Sequence, residues 1–168
     1  GSVDWQDEIH SVPITYGTGI NLEAEAGLAL EHHHYRTIDE YFIRALRYSG
    51  QQSRELIDSG YKFDPADLIK KPTGEFLSRF FAGEGYKDGL HGLIVAILQF
   101  FSILLIYLKV WQLEGSQPIK EREFLPTWQS TFLEKFKEFR YWFLTTKIQK
   151  SKTKTEAFFL KLRRKLFR

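Results

Sequence analysis

Hydrophobic and polar positions divide the chain into stretches of very different character. Residues 1–31 read as strands and loops, with Val12-Pro13-Ile14-Thr15-Tyr16 β-prone and Gly17-Thr18-Gly19 a turn. A first helix is predicted from Thr37. Thr37-Ile38-Asp39-Glu40 has the order of a capping box, in which hydroxyl and carboxylate each satisfy a free backbone N–H. Tyr41, Ala45, Tyr48 and Leu56 recur at helical spacing, and Gly60 is the expected stop. Asp64-Pro65 predicts a second, short helix with Asp as cap, ending before Pro72. A third is predicted near Thr73, with Phe76, Leu77, Phe80 and Phe81 on one face and Gly83 and Gly85 breaking it.

The next stretch organises the rest. Between Leu93 and Leu108 only Gln99 and Ser102 are polar, and a helix is predicted from about Gly89 to about Leu113. Residues 92–110 would rise roughly 28 Å as a helix, close to the hydrocarbon thickness of a bilayer. Gly89, Gly92, Ala96, Gln99 and Ser102 make a small and polar stripe suited to close packing. Tyr107, Lys109 and Trp111 would suit a membrane interface. Beyond the linker Gly115-Ser116-Gln117-Pro118, Pro126-Thr127 is expected to precede a helix striped by Trp128, Phe132, Leu133, Phe136, Phe139 and Phe143. Its charges, Glu134 to Arg140, rule out a simple span there. The last segment, from Glu156, interleaves Phe158, Phe159, Leu162, Leu166 and Phe167 with lysine and arginine, the pattern of a basic amphipathic helix on an anionic surface.

Charge changes the picture of the apolar helix. Residues 147–168 hold nine Lys/Arg against Glu156 alone, a net +8, while the preceding 146 carry 15 basic and 20 acidic residues, a net −5. A basic tail belongs on the cytoplasmic side. If the N-terminal part lies there too, a single crossing is inconsistent. The expectation is therefore a helix that lies along the cytoplasmic leaflet, peripheral or monotopic, ahead of a buried core helix and of a true span. Interleaved Phe and Leu fit a lipid interface better than a phosphate groove, so an anionic membrane rather than nucleic acid is the expected partner. There is no cysteine, so neither disulfides nor a Cys-based zinc site can form. Met is also absent, and the chain reads as a fragment of something longer.

Three features carry candidate chemistry. Asp4, Asp7, Glu8 and His10 place carboxylates beside a histidine, a general base or a divalent-metal ligand set, with an acidic surface loop as the plain alternative. In His32-His33-His34, one histidine is a candidate metal or phosphate ligand. Arg44 and Arg47, with Tyr48, share a helix face and suit diphosphate binding, against the ordinary reading of a solvated face.

In order and spacing, these pieces resemble a known family. Trp5…Asp7-Glu8-Ile9-His10…Pro13…Gly17, then Leu30-x-His32-x-x-Tyr35-Arg36-Thr37-Ile38-x-x-Tyr41, then Arg47-Tyr48-Ser49, resembles the C-terminal part of bacterial family 2 glycosyltransferases of the lipopolysaccharide-core and cell-surface-polysaccharide type. Phe76-Leu77-x-Arg79-Phe80-Phe81…Gly85-Tyr86-x-Asp88-Gly89-x-His91-Gly92 strengthens the likeness, which covers roughly residues 3–113. The resemblance implies a Rossmann-like α/β enzyme that moves a sugar, with inversion, from a nucleotide-sugar donor to a lipid-linked or cell-envelope glycan acceptor, using Mg²⁺ or Mn²⁺. The family's donor-binding half, with its Asp-x-Asp metal motif, precedes this region, and neither Asp-x-Asp nor a Gly-rich nucleotide loop occurs in the 168 residues.

Carried over by position, the resemblance implies that Asp7, Glu8 and His10 line the acceptor side of the active site. Ser11 stands where many relatives have Glu, so the base falls to Glu8 or Asp7. His32 would sit near the metal-bound diphosphate, and Arg47 and Tyr48 would contact donor phosphate or acceptor. The expected fold is mainly α, with a short β/loop start, as the C-terminal end of that α/β enzyme. Residues 1–60 would be the acceptor-side end of the catalytic domain, 61–114 a membrane-associated helical region, and 115–168 a basic amphipathic extension. The alternative is a non-enzymatic membrane-anchoring module, inactive alone because the donor half is missing.

Overall fold

The computed structural model describes residues 2–5, 12–20, 27 and 35–165. Two short strands, β1 (Ser2–Asp4) and β2 (Ile14–Tyr16), pair antiparallel with Ser2 opposite Tyr16 and Asp4 opposite Ile14. The rest of the described chain is mostly helical, as expected: α1 (Ile38–Asp58), α2 (Asp67–Leu77), α3 (Gly89–Leu113), α4 (Glu121–Lys150) and α5 (Lys154–Lys165).

α1 starts where its cap is. The Thr37 hydroxyl accepts from the Glu40 N–H at 3.1 Å, while the Glu40 carboxylate accepts from the Arg36 N–H at 2.8 Å, one residue before the capping position. The buried face of α1 is Tyr41, Ala45, Ser49 and Ser53. Tyr48 and Leu56, expected on that face, are half-buried beside it. Ser49 and Ser53 tolerate burial because each hydroxyl donates to the carbonyl three residues back, at 3.2 and 3.1 Å.

Two helix boundaries differ from expectation. α2 is one helix running through Pro72 rather than two helices meeting at it. Asp64 caps the turn in front of it, accepting from the Ala66 N–H at 2.9 Å. Pro72 forfeits one backbone hydrogen bond midway along the helix, and its ring is fully buried, which offsets that loss. α4 likewise begins at Glu121 and carries Pro126 inside its second turn. After α2 the chain widens into one π-helical turn, Ser78–Ala82, then a 3₁₀ turn, Gly85–Asp88, before α3.

α3 is the centre of the arrangement. α1 runs alongside it in the same direction: the Tyr41 hydroxyl meets Ser102 Oγ at 2.6 Å, and further along Lys109 Nζ donates to the Leu46 carbonyl. α2 covers a second side and runs back along α3, with Lys71 Nζ 5.9 Å over the Tyr107 ring. The Glu114 carboxylate accepts from the Phe63 N–H at 3.1 Å, tying the α1–α2 connection to the end of α3. The predicted small stripe packs in part: Gly92 and Ala96 are buried and Ser102 is bonded to Tyr41, whereas Gly89 is exposed and Gln99 lines an open cleft.

The opposite side of α3 is largely uncovered by other described elements, the Phe42 ring of α1 meeting Phe101 edge-on at 6.3 Å. Leu90, Ile94, Ile97, Phe101, Leu108 and Trp111 recur at helical spacing along its whole length, and all are exposed. Only 28% of the most apolar stretch is buried, so α3 is not enclosed as a core helix by the described residues. It is the one described helix long and apolar enough to cross a membrane, by length and composition alone.

α4 docks on α2 through aromatic rings. Phe139 lies 5.7 Å from Phe76, and the buried Phe81 stacks on Trp142 at 5.9 Å with Phe143 edge-on at 5.3 Å. α5 folds back along α4, where Arg164 donates to Thr145 at 3.1 Å and covers the Tyr141 ring. Of the predicted α4 stripe, only the Phe139–Phe143 end is used in this packing. Trp128, Phe132, Leu133 and Phe136 remain exposed, as do Phe158, Phe159 and Leu162 of α5.

Candidate functional site

Where α1, α2 and α3 meet, they enclose an open cleft of about 670 Å³. The three helix faces that build it follow from simple spacing. α1 contributes Tyr41, Arg44, Ala45, Tyr48 and Gln52, α2 with its π turn contributes Glu75 and Arg79, and α3 contributes Gln99, Ser102, Ile103 and Ile106. Tyr35 closes one end, its ring edge-on to Tyr41 at 5.0 Å. The cleft thus lies against the inner side of α3, opposite the uncovered apolar face.

Its polar groups are only partly committed to one another. Ser102 Oγ donates to the Leu98 carbonyl at 3.1 Å, which leaves the Tyr41 hydroxyl as donor in the 2.6 Å contact between them. Burial raises the Tyr41 pKa above the ordinary tyrosine value, so this hydroxyl stays protonated and serves as a hydrogen-bonding group rather than a base. Arg79 donates to Glu75 at 2.6 Å, one turn back, so these two charges compensate. Arg44 is half-buried and has no ion-pair or hydrogen-bond partner among the described residues. Gln52 and Gln99 add amide donors and acceptors.

Two of the predicted binding residues, Arg44 and Tyr48, therefore come together in the cleft. Arg47 does not line it: its guanidinium donates to the Tyr48 hydroxyl at 3.1 Å and lies 4.9 Å over that ring. The second arginine of the cleft is Arg79, 35 positions along the chain from Arg44. Asp7, Glu8, His10 and His32 lie outside the described residues. Among the described residues no group of three or more His, Asp and Glu converges to hold a metal ion.

Glu75, Arg79, Gln52 and Gln99 were not singled out from the sequence as site residues. Arg79 and the tyrosines at 35 and 41 did stand in the family-like order of motifs, but only the packing of α2 against α1 and α3 shows that they share one space. The π turn was the hidden element. It places Arg79 beside the cleft, and such single-turn π segments occur frequently at functional sites.

What this lining can do is bind. Among the described residues it offers one unpaired cation, one compensated pair, hydroxyls, amides and tyrosine rings, and no nucleophile–base pair. No protein-family model, no curated protein and no solved structure matches the chain.

Proposed function

We propose that this chain is the acceptor-side part of an inverting glycosyltransferase seated on the cytoplasmic face of a membrane. The observation that carries the reading is the back-to-back construction of α3. One side walls a polar cleft of small-molecule size, and the other is an uncovered apolar face running its full length. A glycan held in the cleft would stand just above the lipid surface on which α3 rests.

Lying in the plane fits the packing better than crossing. α1 runs alongside α3 and carries Asp39, Glu40, Arg44, Arg47, Arg54, Glu55 and Asp58. A crossing α3 would draw several of these into hydrocarbon, at about 2.5–3.5 kcal/mol each near the centre. α5 adds Lys161, Arg163 and Lys165 beside its exposed phenylalanines, a composition that favours an anionic leaflet.

In this reading a Rossmann-like donor half, with Mg²⁺ or Mn²⁺, delivers the nucleotide sugar. Glu8 or Asp7 takes the proton of the acceptor hydroxyl as its oxygen attacks the anomeric carbon from the face opposite the leaving nucleoside diphosphate. His10 lies on the acceptor side, and His32 near the diphosphate. The chain alone is then inactive. Incubated by itself with nucleotide sugars and Mn²⁺ it is expected to release no nucleotide. Joined to the polypeptide encoded immediately upstream it is expected to transfer sugar to a membrane-extracted acceptor. An upstream coding sequence without a nucleotide-sugar domain and its Asp-x-Asp would sink the proposal. A second reading, a membrane-anchoring module without catalysis, draws on the exposed aromatic and basic faces of α4 and α5. It predicts membrane binding with no transfer by the joined protein.

A further inference from the structure

We infer that the α1–α2–α3 cleft binds an acidic sugar, a pyranose bearing one carboxylate or phosphate that pairs with Arg44. The inference deepens the transferase reading by naming the acceptor chemistry, and it rests on that reading only for the word acceptor.

Charge decides the first half. Of the three charged groups in the lining, Arg79 and Glu75 compensate each other at 2.6 Å, and Arg44 stands without a partner among the described residues. A half-buried guanidinium with its hydrogen-bonding sites unfilled is completed by one planar or tetrahedral oxyanion, which it can grip with two parallel N–H groups. One free positive charge suits one negative charge. A diphosphate would bring more charge than the cleft neutralises, and a purely apolar ligand would strip water from Arg44, Gln52, Gln99 and Glu75 without replacing it.

The remaining lining decides the second half. The two amides supply donors and acceptors, and the second oxygen of Glu75 with the lone pairs left on the Tyr41 and Tyr48 hydroxyls supplies further acceptors, which match a ring of hydroxyls. The tyrosine rings and the Ile103 and Ile106 side chains supply the flat, weakly polar surfaces that the C–H faces of a pyranose cover. A volume of about 670 Å³ sits within the range of small-molecule sites.

The test is calorimetric titration of the full chain with glucuronic acid, glucose 6-phosphate and glucose, with no donor present. At least one acid is expected to bind saturably and at least about tenfold more tightly than glucose, one charge-assisted contact being worth that much. Whichever acid binds better identifies the oxyanion as carboxylate or phosphate. Arg44→Gln is expected to abolish the preference for the acid, Arg44→Lys to keep part of it, and Arg54→Gln, on the exposed side of α1, to leave it unchanged. The wild-type comparison needs no variant, so the inference stays testable even if Arg44→Gln unfolds. Equal binding of glucose and the acids, no saturable binding, or a folded Arg44→Gln that still prefers the acid overturns it. Because no sugar is transferred, failure here leaves the transferase test untouched, and a failed transferase test leaves this one standing.

Discussion

Gly92 has no room for a side chain. A Cβ built there would lie 1.8 Å from the Gly85 carbonyl oxygen, a backbone atom that cannot swing away. The 3₁₀ turn is thereby pressed onto the first turn of α3, and Gly89 between them takes a left-handed φ of +62°. Gly92→Ala is expected to lower stability by about 1–3 kcal/mol or more, as forced overpacking does. Gly74, inside α2 with nothing near its missing Cβ, gives the contrast. Gly74→Ala is expected to raise stability by about 0.5–1 kcal/mol. Urea unfolding followed by helical circular dichroism measures both, and a neutral Gly92→Ala would show that the two turns do not touch.

Tyr61 makes a second test at this scale. Burial, then its hydrogen bond to the buried Asp67 carboxylate and the charge of that group, push its pKa well above the ordinary tyrosine value. Unfolded tyrosine ionises near about pH 10. Above that pH the unfolded chain loses this proton while the folded chain keeps it, so the folded state binds more protons and stability falls as pH rises. The contribution is intact below about pH 10 and is lost on the way up to the folded-state value. Tyr61→Phe should cost stability at neutral pH by orphaning Asp67, yet show a shallower decline above about pH 10 than the wild type. A decline as steep as the wild type's would mean that Tyr61 ionises freely.

At the scale of elements, α4 and α5 are joined to the rest mainly through the aromatic contact with α2, with Tyr86 to Gln149 as a smaller tie at 3.0 Å. Phe81, 4% exposed between Trp142 and Phe143, is its keystone. Phe81→Ala should cost about 3–5 kcal/mol at this contact. It should speed protease cleavage between α3 and α4 while the Tyr41–Ser102 contact of α1 and α3 persists. Equal protease resistance would mean that α4 is held by something else. The same contact shows what the sequence could and could not disclose. α3 was legible almost to the residue, because a long apolar run between Gly89 and Glu114-Gly115 has one periodicity and plain ends. α1 was legible at its cap but not in its buried face, because Ser49 and Ser53 are polar and their burial depends on bonds to their own helix. Pro72 and Pro126 read as breaks, yet each costs its helix one hydrogen bond, and only burial of the Pro72 ring shows why the first is tolerated in the middle of α2. The π turn was illegible, since no composition marks it, and with it went the place of Arg79 in the cleft.

At the scale of the whole molecule, the proposed seat on a membrane would divide its work between an apolar and a basic surface. The uncovered face of α3 is hydrophobic and contains no charge from Leu90 to Leu108, so its attachment should be indifferent to lipid charge. α5 couples its exposed Phe158, Phe159 and Leu162 to cations, so its attachment should depend on anionic lipid and weaken with salt. Two sets of substitutions separate these surfaces in a vesicle flotation assay. Leu90→Asp with Ile97→Asp, both at exposed positions, should leave the fold intact and release the protein from zwitterionic vesicles. Lys161→Gln with Arg163→Gln and Lys165→Gln should leave zwitterionic binding unchanged and weaken binding to anionic vesicles by about 3 kcal/mol, roughly a hundredfold, at about 1 kcal/mol per charge. If the wild-type chain stays in the aqueous fraction with both vesicle types, the α3 face is an interface for protein rather than lipid. The cleft behind it would then face a partner domain, and the acceptor would have to reach it from solution.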